Sequence, residues 1–330
     1  MDRQTDDPES SGRRWPWLVG WAVLTVIVAW LLRDLAWDEI GAILVGAHPG
    51  WVAAAVLANF AILPLVAWQW TLFLPEGNRV PFPRMLRIQF VVAAISNTGP
   101  FIAGHAAGVH LVATQGGVGH AAALSAKALD QLSEGISKLV MLGAVVLWVP
   151  LPTPLRAATL TLLVAVPALF AGLLLLAHRA HVFERWAAGR SGRTATTIRF
   201  MGEVADQMET LRRPGALIGV LGIGLLQKSF EGLAIWCVLQ ALGLDVPGWG
   251  VLLSLSAVSL TTMVSVTPAQ LGLFEGSALV AYRLAGLGTE AALGAAVLQH
   301  LAYLIPFVGS GWLTLAVVSA RPRTVTPPDS

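Results

Sequence analysis

The sequence predicts an all-α polytopic membrane protein, an inverted repeat of about six full spans and two re-entrant (broken) helical hairpins. Three observations carry that reading. First, 55% of the 330 residues are hydrophobic and only 12% are charged, with a mean hydropathy of +0.69. A soluble domain needs more charge to cover its surface. Second, the loop charges disagree with a count of simple crossings. Third, the chain repeats itself around two proline–glycine breaks.

The first fourteen residues, MDRQTDDPESSGRR, are polar. Asp2, Asp6, Asp7 and Glu9 do not suit a cleaved signal peptide, so residues 1–14 read as a disordered cytoplasmic tail with Arg13 and Arg14 anchoring the first span. Residues 321–330 read as a second cytoplasmic tail. Between them, 15–320 form a single transmembrane domain that leaves no room for a soluble catalytic domain. Apolar runs fall at about 15–33, 50–74, 86–113, 119–150, 158–178, 214–243, 248–281 and 288–320, each near or above the ~20 residues that cross a bilayer core. Trp15, Trp17 and Trp21, and Trp68 and Trp70, read as interfacial belts.

The loop 178–213 is the most basic, with Arg179, Arg185, Arg190, Arg193, Arg199, Arg212 and Arg213. The positive-inside rule makes it cytoplasmic, and does the same for the loop carrying Arg79, Arg84 and Arg87. Three apolar runs lie between the two loops, so one run must enter and leave on the same face. The run 86–113 has SNTGP (Ser96 to Pro100) at its centre, a turn sequence that interrupts a helix. A re-entrant hairpin is expected there, where irregular backbone survives only against protein or a wet cavity.

Pro100–Ala113 aligns with Pro268–Ala281 at an offset of 168, and Gly117–Ile136 aligns with Gly286–Ile305 after one inserted residue. Fifteen positions are identical, and the shared Pro-x3-Gly-x3-Gly frame is not a product of Ala/Leu-rich composition. Pro100, Gly104, Pro268 and Gly272 are therefore expected at matched hairpin breaks. The repeat halves run from about 50–150 and 214–320. Because Arg79, Arg84 and Arg87 have no basic counterpart in GLDVPG (Gly243–Gly248), the halves are expected to run in opposite directions.

All three lysines, Lys127, Lys138 and Lys228, fall inside apolar runs. Lys127, Asp130, Glu134 and Lys138 are spaced three and four apart, which puts them on one helical stripe. Lys228 and Glu231 make a similar pair, and His300 takes the matching face of the last run. Charges at bilayer depth are costly unless they face protein or a watery cavity. Two readings stay open: a groove for a charged or sugar-bearing lipid headgroup, or intrahelical ion pairs (Lys127–Asp130, Glu134–Lys138, Lys228–Glu231) that staple the bundle. Glu275 has no obvious local partner and is the more suggestive acid. His105, beside the first break, is a candidate contact for a phosphate.

No metal or other cofactor is expected. The one cysteine, Cys237, excludes a disulfide or a cysteine cluster, and no HExxH, Walker loop or G-x-S-x-G occurs. The basic residues report loop sidedness rather than nucleic-acid binding.

From Pro268 to Glu275 the chain resembles the transmembrane region of lysylphosphatidylglycerol synthases and related stand-alone flippase-like membrane proteins. That family shows a Pro-Gly-Gly-x-Gly-x-x-Glu pattern in its second half, then a short Gly-containing loop and a long helix. Pro268, Gly272 and Glu275 match, and GLGTEAALGAAVLQHL follows. Ala269 and Gln270 stand where the family has glycines, and His105 stands where an acid is common. The resemblance covers roughly 15–320. It implies a flippase-like fold in the cell inner (cytoplasmic) membrane, lipid transport as the function, and a membrane lipid as the partner. A membrane enzyme or accessory subunit acting on an isoprenoid or glycolipid intermediate is the alternative, with Asp130 and Glu134 as the only plausible catalytic acids. A scaffold with a purely structural polar face is the third reading. A homo-oligomer or a partner enzyme stays open.

Overall fold

The computed structural model describes residues 37–74, 77, 79–99, 101–178, 214–262 and 267–319. The expected first span at 15–33, both tails, most of the basic loop and Pro100 lie outside the described residues. Those residues form ten α-helices and no strand. They are α1 (Trp37–Val45), α2 (Pro49–Phe73), α3 (Phe82–Thr98), α4 (Phe101–Gln115), α5 (His120–Trp148), α6 (Thr153–His178), α7 (Pro214–Ala241), α8 (Gly248–Thr261), α9 (Leu273–Leu284) and α10 (Thr289–Ser319). A single 3-10 turn, Pro268–Gln270, precedes α9.

Four of these helices are long and apolar enough to cross a membrane: α2, α5, α7 and α10. Prolines open α2, α3 and α7 in the first helical turn, where the missing N–H has no partner to lose. The run 86–113 is broken between Thr98 and Phe101, giving helices of 17 and 15 residues. The run 248–281 is also divided, into helices of 14 and 12 residues that end at Thr261 and begin again at Leu273. At 1.5 Å per residue, none of the four reaches the ~30 Å of a bilayer core.

Helix bounds repeat along the chain. α2 and α7 end at Phe73 and Ala241, 168 residues apart, and α5 and α10 begin at His120 and Thr289, 169 apart. Packing repeats as well. α3 packs on α4 and α8 on α9; α3 packs on α10 and α8 on α5; α2 packs on α10 and α7 on α5. α2 and α7 themselves form the most extensive pair. They are antiparallel. At one end the His48 N–H donates to Ala241 O at 2.7 Å, and the rings of Trp51 and Trp236 meet edge to face at 5.2 Å. At the other end Gln69 Nε2 donates to Val220 O at 3.1 Å.

One apolar core joins α2 to the first hairpin and α5, through Phe73, Met85, Ile88, Val112 and Leu129. A second joins α7 to the second hairpin and α10, through Leu239, Phe274, Tyr282 and Ala295. Lipid tails are as apolar as leucine, so close approach at small residues holds such helices together. Gly311 lies against Phe90 and Ala94 of α3, Gly224 against Ser133 and Ser137 of α5, and Gly104 against Ser96. Trp68 is half exposed, as a belt residue should be, but Trp70 is 2% exposed. Trp70 belongs to the first core, with Lys127 Nζ 6.0 Å above its ring, because the two-residue step from Trp68 turns it about 200° around the helix, toward α5.

Candidate functional site

Where the two hairpins approach α5, α7 and α10, they leave a cavity of about 370 Å³. Five segments supply most of its polar wall. From the first hairpin come Ser96 and Asn97, at the end of α3, and His105 in α4; from the second come Thr262, Gln270 and Phe274. α5 contributes Lys127, Gln131, Glu134 and Lys138, and α7 contributes Lys228 and Glu231. Gln299 and Tyr303 face it from α10. Apolar patches from Ile235, Val238, Leu255 and Val258 complete the lining. The stripe on α5 and the pair on α7 thus share one space, although 90 or more residues separate them in the chain.

Each lysine is bound to an acid on its own helix. Lys127 Nζ meets Asp130 Oδ2 at 2.8 Å, Lys138 Nζ meets Glu134 Oε1 at 2.6 Å, and Lys228 Nζ meets Glu231 Oε1 at 2.8 Å. The geometry follows from helix spacing: residues three or four apart lie one turn above each other. Lys138 is 9% exposed and Glu134 42%, so the carboxylate is the more open end of the pair. Gln131 Nε2 also donates to Glu134 Oε2, at 3.3 Å. Asp130 holds Lys127 but does not line the cavity.

Glu275, which has no obvious local partner in the sequence, finds one on another helix. Glu275 Oε1 lies 2.7 Å from Nδ1 of His300 on α10. Its other oxygen accepts the Gly272 N–H at 2.7 Å and so caps its own helix, in the manner of a glutamate at the third helical position. The partner was hidden because it is 25 residues away on another helix. Phe274 stacks on the imidazole, with ring centroids 4.2 Å apart and 7° between planes. His300 is 2% exposed, so the Glu275–His300 pair sits behind Phe274 rather than in the cavity wall.

The break residues take distinct places. Pro268 opens the 3-10 turn, and Gly272 is the cap of α9 at φ 83°. Gly104 lies inside α4 rather than at the break, where it lets α4 close on Ser96. Between Pro268 and Gly272, Ala269 and Gln270 hold φ of 53° and 59°. These are left-handed conformations that suit glycine and cost an alanine or glutamine about 1–2 kcal/mol each. Gln270 is delivered to the cavity by that strained turn.

Residues that sequence reasoning missed are mostly uncharged. Gln69 Nε2 donates to Ser133 Oγ at 2.8 Å, and Gln227 Nε2 donates to Gln69 Oε1 at 2.9 Å, tying α2, α5 and α7 together. Asn59 Nδ2 donates to Ala302 O at 3.1 Å. Gln299, which the sequence already places on one face of the last helix with His300 and Tyr303, accepts through Oε1 from Tyr282 Oη and, at 3.2 Å, from Ser254 Oγ. A lone amide in an apolar run was the available signal, since a polar group that inserts into a membrane needs a partner there. No cluster of three metal-ligating side chains occurs among the described residues.

No curated protein matches the chain. The family model for the lysylphosphatidylglycerol synthase TM region matches residues 17–311. With its helical build, its broken hairpins and a match over nearly the whole length, the chain is a multi-pass integral membrane protein that belongs to the lysylphosphatidylglycerol synthase TM region family.

Proposed function

We propose that the protein is a lipid flippase or transporter that moves a polar-headed lipid across the bacterial cytoplasmic membrane through the cavity between its two hairpins. The observation that carries this reading is a polar cavity, lined from both broken hairpins, in a bundle whose long helices are otherwise apolar. Broken helices meeting around a polar space at membrane depth are a transporter arrangement. The antiparallel contact of α2 with α7, the first helices of the two repeats, supports halves of opposite direction. The last turns of α2 (Gln69, Trp70) lie against the first half of α5 (Lys127, Ser133). That supports a first hairpin leaving and returning on one side. With the expected span at 15–33 and α6, the count is about six full crossings with both termini cytoplasmic.

Two experiments test the proposal. Cys237 is buried and free, so single cysteines in a Cys237→Ser background report position cleanly. Arg79→Cys and Gln115→Cys are expected to label from the cytoplasm and Asp245→Cys from outside; labelling of Gln115→Cys from outside sinks the hairpin topology. Purified protein in liposomes is expected to make chain-labelled lipid in the inner leaflet accessible to a membrane-impermeant quencher. No increase over protein-free liposomes with any headgroup would remove the transport reading.

A further inference from the structure

We infer that the cavity selects an uncharged, hydroxyl-rich headgroup, that of a glycosyl lipid, over anionic, cationic and zwitterionic phospholipids. The inference rests on the lipid-moving reading above and names its substrate class. It begins with charge. Lys127, Lys138 and Lys228 are matched one for one by Asp130, Glu134 and Glu231, at 2.6–2.8 Å. No lysine in the cavity wall is left to hold a phosphate, and no acid is left to hold an amine. A charged headgroup would have to take one partner from such a pair, leaving the other, such as Lys138 at 9% exposure, without its counter-charge. A zwitterion would have to open two pairs at once.

Hydroxyl groups face no such exchange. A carboxylate has about four acceptor positions and an ammonium three donors, and each ion pair uses only one or two of them. A hydroxyl can therefore bond alongside the pair without splitting it. Glu134 and Glu231, with side chains 42% and 24% exposed, offer those spare acceptors. The rest of the polar wall has the same dual character. Asn97, Gln131, Gln270 and Gln299 carry both donors and acceptors, as do Ser259 and Thr262, and a polyol presents both at every carbon. Phe274 and Tyr303 add aromatic surface that suits the C–H face of a sugar ring. The volume, about 370 Å³, falls in the range of single small-ligand sites.

The test uses three lipids with the same fluorescent acyl chain: monoglucosyldiacylglycerol, phosphatidylglycerol and phosphatidylethanolamine. Transbilayer movement in proteoliposomes is read by dithionite, and binding to protein in detergent by native mass spectrometry. The glucosyl lipid is expected to move and to bind at least about tenfold better than either phospholipid. Gln131→Met is expected to weaken its binding about threefold to tenfold, the worth of one hydrogen bond. If a phospholipid moves and binds as well as the glucosyl lipid, the class assignment is overturned and lipid movement stands. If the glucosyl lipid binds selectively yet nothing moves, the assignment stands and the transport reading falls. If nothing binds or moves, both fall.

Discussion

The Lys138–Glu134 pair should respond unequally to loss of its two ends. The ammonium is nearly enclosed, at 9% exposure, whereas the carboxylate keeps 42% and a second contact with Gln131. Replacing Glu134 with leucine strands a positive charge among packed helices. Breaking a buried pair in this way costs about 3–5 kcal/mol. Replacing Lys138 with methionine, which fills much the same volume, leaves a carboxylate already facing the wet cavity, at a cost of about 1 kcal/mol. The double variant Glu134→Leu/Lys138→Met removes both charges and should lie within about 1 kcal/mol of the parent, since an apolar pair of similar volume replaces a buried ion pair at little loss. The assay is equilibrium unfolding in mixed micelles, followed by tryptophan fluorescence, with all four proteins in one double-mutant cycle. If Lys138→Met proves as costly as Glu134→Leu, or if the double variant is no better than Glu134→Leu alone, the burial argument is wrong.

Ala269→Gly should stabilise the protein by about 1 kcal/mol, because φ of 53° strains an alanine and not a glycine; a lower unfolding temperature would contradict the left-handed turn. Gly311→Ala should cost about 1–3 kcal/mol, since its new methyl group meets the Phe90 carbonyl and Ala94. Gly309→Ala, two residues away with open space around it, should be neutral or gain up to ~1 kcal/mol of helix propensity; equal effects at the two positions would rule out close packing of α3 on α10. Glu275→Ala removes both the Gly272 cap and the His300 bond and should cost about 2 kcal/mol. Its hydrogen exchange should rise first in the opening turn of α9, and unchanged exchange there would argue against the cap.

Much of the architecture was legible because its signals are local. Gly99 with Pro100 in SNTGP, and Pro268 with Gly272 in the second copy, disfavour a continuing helix; α3 ends at Thr98, and α9 begins only after Gly272. The lysine–acid pairs were readable because their spacing is set within one helix. What escaped was everything decided between helices. In α2 and α7 nearly every face is apolar, and in a membrane neither the lipid side nor the protein side needs a different composition. Periodicity therefore could not say that Trp70 points inward while Trp68 points out. Nor could it join Glu275 to His300, or Gln69 to Ser133 and Gln227.

The packing of α3 on α10 and of α8 on α5 places each hairpin against the long helix of the opposite half. Two copies of an ancestral chain that embraced head to tail and traded arms would look like this after fusion. Neither half alone closes the cavity, whose wall comes from both, so each alone would be an incomplete fold, prone to degradation. Cut between residues 178 and 214, the two fragments should rebuild the whole when made in the same cell, and fail when made apart.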